Sequence, residues 1–265
     1  MIKKIVKNVI NEIAGLFGLK VFVHRKTKNS DFIGLDKNIW IPFLNSKDDE
    51  NFNLYYEGLK KSNIEWSDNF SKQLKLYSLF QLARHSIKNN KQYDFVECGC
   101  WTGHSSYAIS KILKQNNFEN NFHIFDSFEG GLSDFGKKDK HLTQDFTDEE
   151  EKQLGKRWSS SEEFVRDALS EFSFVKIYNG WIPDRFSEIE GRKFQFVHID
   201  VDLYQPTLDS LEFFFPRLIP GGFIICDDYN LSLFPGATKA WDEYFEDKEY
   251  LLNYKLACGG SFLIK

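Results

Sequence analysis

Four aspartates stand at the ends of two short apolar runs. Phe196-Val197-His198-Ile199 leads into Asp200-Val201-Asp202, and Phe223-Ile224-Ile225-Cys226 leads into Asp227-Asp228-Tyr229. Carboxylates packed this closely repel one another unless a proton or a cation stands between them. Hard oxygen donors at that density suit Mg2+ or Ca2+. Near-continuous apolar runs are the pattern of strands buried on both faces of a parallel sheet. Between the two runs, Leu208, Leu211, Phe215 and Leu218 fall at helical spacing. The unit therefore reads as strand, helix, strand with a right-handed crossover. Parallel neighbours end on one rim, so Asp200, Asp202, Asp227 and Asp228 are expected to converge where open α/β sheets bind ligands. A plainer reading, acids that only cap turns, stands beside this one.

A second cluster of chemistry lies upstream. The strand-like Tyr93-Asp94-Phe95-Val96 enters Glu97-Cys98-Gly99-Cys100-Trp101-Thr102-Gly103-His104-Ser105, and a helix through Tyr107, Ile109, Ile112 and Leu113 follows. Glycine lets the backbone turn sharply and a ligand approach closely, and the helix start presents free amides and the positive end of its dipole. The spacing is not the Gly-x-Gly-x-x-Gly of dinucleotide sites. A tight turn with no ligand is the alternative. The next strand, Phe122 to Phe125, ends in Asp126-Ser127, an acid placed to meet ribose hydroxyls. A third, Phe174 to Tyr178, ends in Asn179-Gly180-Trp181, where an aromatic side chain can flank a flat base or simply pack in the core.

The elements that must position these groups follow from the rest of the chain. Leu76, Leu79, Phe80, Ala83 and Ile87 mark a helix before the first strand. Ser160 with Glu163 reads as a capping box for a helix carrying Val165, Leu169 and Phe172. Pro235-Gly236 opens another helix, and Tyr250 to Ile264 reads as a hairpin turning at Gly259-Gly260. The expected fold is α/β: a mostly parallel sheet with a C-terminal antiparallel hairpin and helices on both faces. Residues 1–69 are expected to form an N-terminal helical cap, and 70–265 the main domain, with 130–161 as a lid. In that cap Ile2, Ile5, Val6, Val9, Ile10 and Ile13 form an amphipathic helix, and the stretch from Phe22 to Asp68 reads as irregular. The helix suits packing on the domain, on a second copy of the chain, or on an anionic membrane surface. His141, in the lid, is a histidine that can reach a reaction centre or stay solvated.

With 265 residues, 42% of them hydrophobic, the chain can bury one large core. A net charge of −5 favours no nucleic acid partner. Cys98, Cys100, Cys226 and Cys258 read as reduced thiols, not a disulfide framework, and Cys98-x-Cys100 lacks a second ligand pair for a metal. No stretch is long and apolar enough to span a bilayer and no signal peptide is evident, so a cytoplasmic protein is expected.

Taken together, Glu97-Cys-Gly-Cys-Trp-Thr-Gly103, Asp126-Ser-Phe-Glu-Gly130, Gly180-Trp-Ile-Pro-Asp184, His198-Ile-Asp-Val-Asp-Leu-Tyr204, Gly221-Gly222 and Asp227-Asp228-Tyr229 occur in order over roughly residues 93 to 245. This set resembles the macrocin O-methyltransferase family of the TylF/MycF/NovP type, class I S-adenosylmethionine-dependent methyltransferases with a Rossmann-like sheet. The resemblance implies an O-methyltransferase that uses S-adenosylmethionine and Mg2+, or another divalent cation. Its acceptor would be a hydroxyl of a sugar or glycosylated small molecule. It implies Asp200, Asp227 and Asp228 as metal ligands. It also implies a cofactor site at Glu97, Gly99, Gly103, Asp126 and the Gly180 loop, which would draw in Cys100, Trp101, Ser105, Ser127, Asn179, Trp181 and Asp200. Asp200 is the expected proton acceptor, with Asp202 supporting it. The chain departs from the family pattern at Val201, where glycine is usual, and at Pro206, where serine is usual. Metal-independent transfer to another nucleophile and a nicotinamide-dependent oxidoreductase are the rival readings; the glycine spacing and the terminal hairpin weigh against the second.

Overall fold

The computed structural model describes residues 50–90, 92–140 and 146–265. Its centre is a seven-stranded sheet in the order β3-β2-β1-β4-β5-β7-β6. The strands are β1 (Asp94–Cys98), β2 (Phe122–Asp126), β3 (Val175–Asn179), β4 (Phe194–Ile199), β5 (Leu218–Cys226), β6 (Leu252–Lys255) and β7 (Ser261–Ile264). The first five are parallel; β7 runs antiparallel to β5 and β6 antiparallel to β7. All residues of β1 and β4 are buried.

Alternation along the strands divides the core into two layers. Phe95 and Phe196 face one side with their rings stacked at 4.8 Å, together with Ile124 and Phe223. Val96, Val197, Ile199 and Ile224 face the other. The first layer is closed by α1 (Glu50–Lys61), α2 (Phe70–Asn89), α3 (His104–Gln115) and α5 (Glu162–Ala168), through Leu59, Phe80, Ile109 and Val165. The second is closed by α6 (Tyr204–Arg217) and α7 (Pro235–Phe245), through Leu211, Phe214, Trp241 and Phe245. The remaining helix, α4 (Asp148–Lys156), lies in the segment expected to be a lid and begins with a Thr147/Glu150 capping box.

Three expectations need correction. The stretch read as irregular contains α1, whose Leu54, Tyr55 and Leu59 are buried in the core. Asn, Lys and Glu between the aromatics hid its period, which only packing reveals. The N-terminal amphipathic helix and His141 lie outside the described residues. The cap of α5 is Ser161, one residue after the expected Ser160; it accepts from the Phe164 amide, while the Ser160 hydroxyl is buried without a partner. Leu218 belongs to β5, so the buried face of α6 runs through Thr207, Leu211 and Phe214. Among the described residues all four cysteines are free, and no helix is long and apolar enough to cross a membrane.

Candidate active site

Strand register assembles the site. Cys98 of β1 is paired with Phe125 of β2 and with Ile199 of β4, and Ile199 is paired with Cys226 of β5. One residue further on stand Gly99, Asp200 and Asp227, where the chain leaves the sheet, and Asp126, the last residue of β2. Four adjacent parallel strands thus release their functional residues at one level, beside the point where strand order reverses between β1 and β4.

Above this rim lies a cavity of about 720 Å³, in the range of small-molecule sites. Its walls include Gly99, Cys100, Trp101, Ser105, Asp126, Ser127, Gly180, Trp181, Asp200, Asp227 and Asp228. Those expected site residues come together. Glu97, Gly103 and Asn179 are not among the lining residues. Glu97 is still inside β1 and fully buried: its carboxylate takes His198 Nδ1 at 2.9 Å and the Ser106 hydroxyl. It braces β1, β4 and α3 from beneath. Gly103 serves through its backbone, with φ +83 at the N-terminus of α3. The Asn179 side chain donates to Glu162 at 2.6 Å instead.

Asp126 shapes the glycine loop. Its Oδ2 accepts from the Cys100 amide at 2.7 Å and the Trp101 amide at 2.9 Å, and its Oδ1 accepts from the Phe128 amide at 2.6 Å. Burial holds its carboxyl above the usual carboxylate range, and these three amides oppose part of that rise. The loop has no room for a side chain at Gly99, where a Cβ would stand 1.8 Å from the Asp200 carbonyl oxygen. Trp181 leans over Gly130, within 2.7 Å of where a Cβ there would be.

Asp200, Asp227 and Asp228 each offer a carboxylate oxygen, all within 4.8 Å of one another. Oxygens that share one ion stand at most twice the ion–oxygen distance apart, about 5.2 Å for Ca2+ and about 4.2 Å for Mg2+, so the set is close enough for Ca2+ as it stands and needs only a slight closure for Mg2+. Among the described residues it is the one cluster of this kind. Asp202 stands beside it with φ +62, its amide donating to Asp228 Oδ2 at 2.7 Å. Burial and the neighbouring carboxylates push Asp200 and Asp202 well up, and Asp228 up to about 6. Burial is the larger cause; the second, crowded negative charge, is one that a cation relieves.

Two lysines of α2 were not anticipated. Lys75 Nζ donates to Asp227 Oδ2 and, at 3.0 Å, to the Asp227 carbonyl. Lys72 donates to Ser67 at 2.9 Å and lies 5.8 Å from the Trp101 ring centroid. Burial brings Lys72 down to about 8, with Asp200 and Asp227 opposing the fall. Their three-residue spacing beside Leu76 and Leu79 was the available signal, because it sets them at the margin of the buried stripe. The cavity is also lined by Trp66, Trp158 and Phe234, and Trp101 and Trp158 meet edge to face at 5.2 Å. Leu132, Leu154, Arg157 and Trp158 reach it from the segment expected to be a lid.

His104 lines the cavity too, with its Nε2 2.8 Å from the Tyr55 carbonyl and Nδ1 buried without a partner. Burial and Lys72 push it down to about 3 from an ordinary 6.5. The unfolded chain therefore binds this proton at a higher pH than the fold does. Its contribution is intact above pH 6.5 and is lost as pH falls toward 3. Urea unfolding at pH 7 and pH 5 should differ by roughly 2 kcal/mol less in His104→Gln than in the parent; equal differences would show that the imidazole does not carry this linkage.

The Macrocin-O-methyltransferase (TylF) family model matches residues 71–253. Demethyldecarbamoylnovobiocin O-methyltransferase of Streptomyces niveus is 27% identical over 201 residues, 72% of this chain and 73% of that protein. Mycinamicin III 3''-O-methyltransferase of Micromonospora griseorubida is 26% identical over 174 residues, 64% of this chain and 67% of that one. The solved O-methyltransferase NovP superposes with a TM-score of 0.60 at 23% identity, covering 79% of this chain and 88% of that one. The calicheamicin methyltransferase CalS11 gives 0.59 at 15%, covering 83% and 93%. These two structures establish the Rossmann-like methyltransferase fold. The nicotinamide reading falls away, since the family model takes in the glycine loop, the aspartate rim and most of the sheet: this chain belongs to the macrocin O-methyltransferase family and is an O-methyltransferase.

Proposed function

We propose that the chain transfers the methyl group of S-adenosylmethionine to a hydroxyl of a sugar or glycosylated small molecule, with Mg2+ or a similar divalent cation held by Asp200, Asp227 and Asp228. The observation that carries this reading is the meeting of three carboxylate oxygens within 4.8 Å on the rim of the cavity that the glycine loop also lines. The relatives support the acceptor class: their names describe methylation of demethyldecarbamoylnovobiocin and of the 3'' position of mycinamicin III.

S-adenosylmethionine supplies a methyl group that is already electrophilic. The divalent cation, when bound, supplies Lewis acidity that makes an acceptor hydroxyl easier to deprotonate. The chain does the rest. The Gly99–Trp101 loop, Asp126 and Trp181 hold the cofactor, through close approach of the backbone, a carboxylate and a ring face. Asp200 takes the hydroxyl proton, because it lines the cavity and its carboxylate stands in the rim cluster where the acceptor oxygen would be activated. The Asp202 amide, donating to Asp228 Oδ2, keeps the Asp228 carboxylate in place beside it. Tryptophans 66, 101 and 158 offer apolar faces to an acceptor and exclude water from the transfer.

Methyl transfer measured after EDTA treatment and again after Mg2+ is restored tests the proposal. Activity is expected to fall to background with the chelator and to return with the ion; activity that ignores both would remove the ion from the reaction. A titration with S-adenosylhomocysteine tests the cofactor separately. A metal-independent transfer has one observation in its favour, the lysine already paired with Asp227, and the same chelation experiment separates the two.

A further inference from the structure

Lys75 holds one of the three carboxylates that the proposed cation would need. Its ammonium donates both to Asp227 Oδ2 and to the Asp227 carbonyl. The pair is largely buried, the two side chains being 13% and 16% exposed. The lysine cannot drift far. It is carried by α2, whose Leu76, Leu79 and Phe80 are locked in the core, and whose Ser71 hydroxyl donates to the Cys258 carbonyl at 3.1 Å. A Cβ placed at Gly259 would also touch the Lys75 stem, at 3.9 Å. The positive charge is therefore tethered at the edge of the carboxylate cluster.

From this geometry we propose that Lys75 acts as an intramolecular cation that competes with the divalent ion for Asp227 and so sets the ion affinity of the site. The inference rests on reading Asp200, Asp227 and Asp228 as a cation site. Two positive charges sharing one carboxylate repel, and partial exclusion of water strengthens that repulsion. An ion entering the cluster must therefore displace the ammonium from Asp227 Oδ2 or share the residue with it. Removing the charge strengthens ion binding. A lysine that only oriented Asp227 would have the opposite effect, because its loss would let the carboxylate swing away from its neighbours.

Mn2+ binding to the full chain, followed by the electron paramagnetic resonance of the free ion, reads this without turnover. Lys75→Met is expected to bind Mn2+ at least about fivefold more tightly than the parent, the direction set by loss of a like charge. Lys75→Gln, which loses the charge but keeps a donor for Asp227, should move the same way, and Lys75→Arg should stay near the parent. Unchanged or weaker binding in Met and Gln variants would overturn the competition. Asp227→Asn should weaken Mn2+ binding in both the parent and Lys75→Met; if it changes nothing in either, the cation site itself is wrong and the inference falls with it. The parent alone gives a second measurement. Acetic anhydride labelling of Lys75, read by mass spectrometry, should increase under saturating Mn2+ as the amine is released from Asp227. Labelling that does not increase counts against displacement whatever the variants do.

Discussion

Asp200→Asn is expected to lower kcat/KM for methyl transfer by at least about 10³-fold, on the order of 4 kcal/mol of transition-state stabilisation. The substitution keeps size and hydrogen-bonding capacity but removes the charge that both the cation and the departing proton need. Cofactor binding should survive, within about threefold by S-adenosylhomocysteine titration, a margin of well under 1 kcal/mol. The Gly99–Trp101 loop, Asp126 and Trp181 are untouched. Stability should move the other way. In the metal-free protein Asp200 sits half-buried on the rim with Asp227 and Asp228 pushing its carboxyl up. Neutralising it relieves that repulsion, so metal-free Asp200→Asn should melt a few degrees above the parent, which corresponds to roughly 1 kcal/mol. It should also lose the stabilisation that Mg2+ gives the parent. A variant that keeps near-parent turnover, or that melts lower and ceases to bind the cofactor, would refute the assigned role.

Gly99→Ala is expected to be the most damaging single methyl group in the described chain. A Cβ at this position would lie 1.8 Å from the Asp200 carbonyl oxygen and 2.8 Å from its carbonyl carbon, with φ at +82. Both contacts are to backbone, so no side chain can swing aside. The ends of β1 and β4 must separate where Asp200 leaves the sheet. A cost of about 3–5 kcal/mol follows from the clash and the left-handed backbone, a fall of roughly 10 °C in Tm for a domain of this size. Activity should approach background even below the melting point, because the displaced residue is Asp200. Gly191→Ala is the control: its Cβ would meet nothing within 4 Å, and it should leave both Tm and turnover unchanged. Equal behaviour of the two variants would mean that close approach at Gly99 does not build the site.

The remaining differences between sequence and structure share a physical pattern. Glu97 carried the right motif position yet spends its carboxylate on His198 and Ser106. Its neighbour Gly99 is out of the strand, whereas Glu97 is two residues earlier and still within it, facing a sheet layer. Asn179 likewise lies at the end of its strand, but Glu162 captures its amide from a helix whose position no local pattern announces. Lys72 and Lys75 carry no local mark of their buried role, because two lysines beside an apolar stripe ordinarily reach out to solvent. Helix α1 is hidden in the sequence for a related reason: its apolar residues are few, and they count only once α3 covers them.

What the chain determines by itself is everything whose cause is local or periodic. Apolar runs of strand length, the helical spacing between them, and acids and glycines at their ends settle the α/β class, the parallel core with its closing hairpin, and the convergence of Asp126, Asp200, Asp227 and Asp228 on one rim. Right-handed crossovers and parallel register leave few other arrangements. Tertiary structure alone decides which of these groups face the cavity, which are consumed beneath it, and which distant side chains join them. Those outcomes depend on how helices seat on the sheet, over separations such as the 152 residues between Lys75 and Asp227. Contacts of that range leave no periodic trace in the sequence, because each is fixed by the packing of whole elements rather than by any neighbour along the chain.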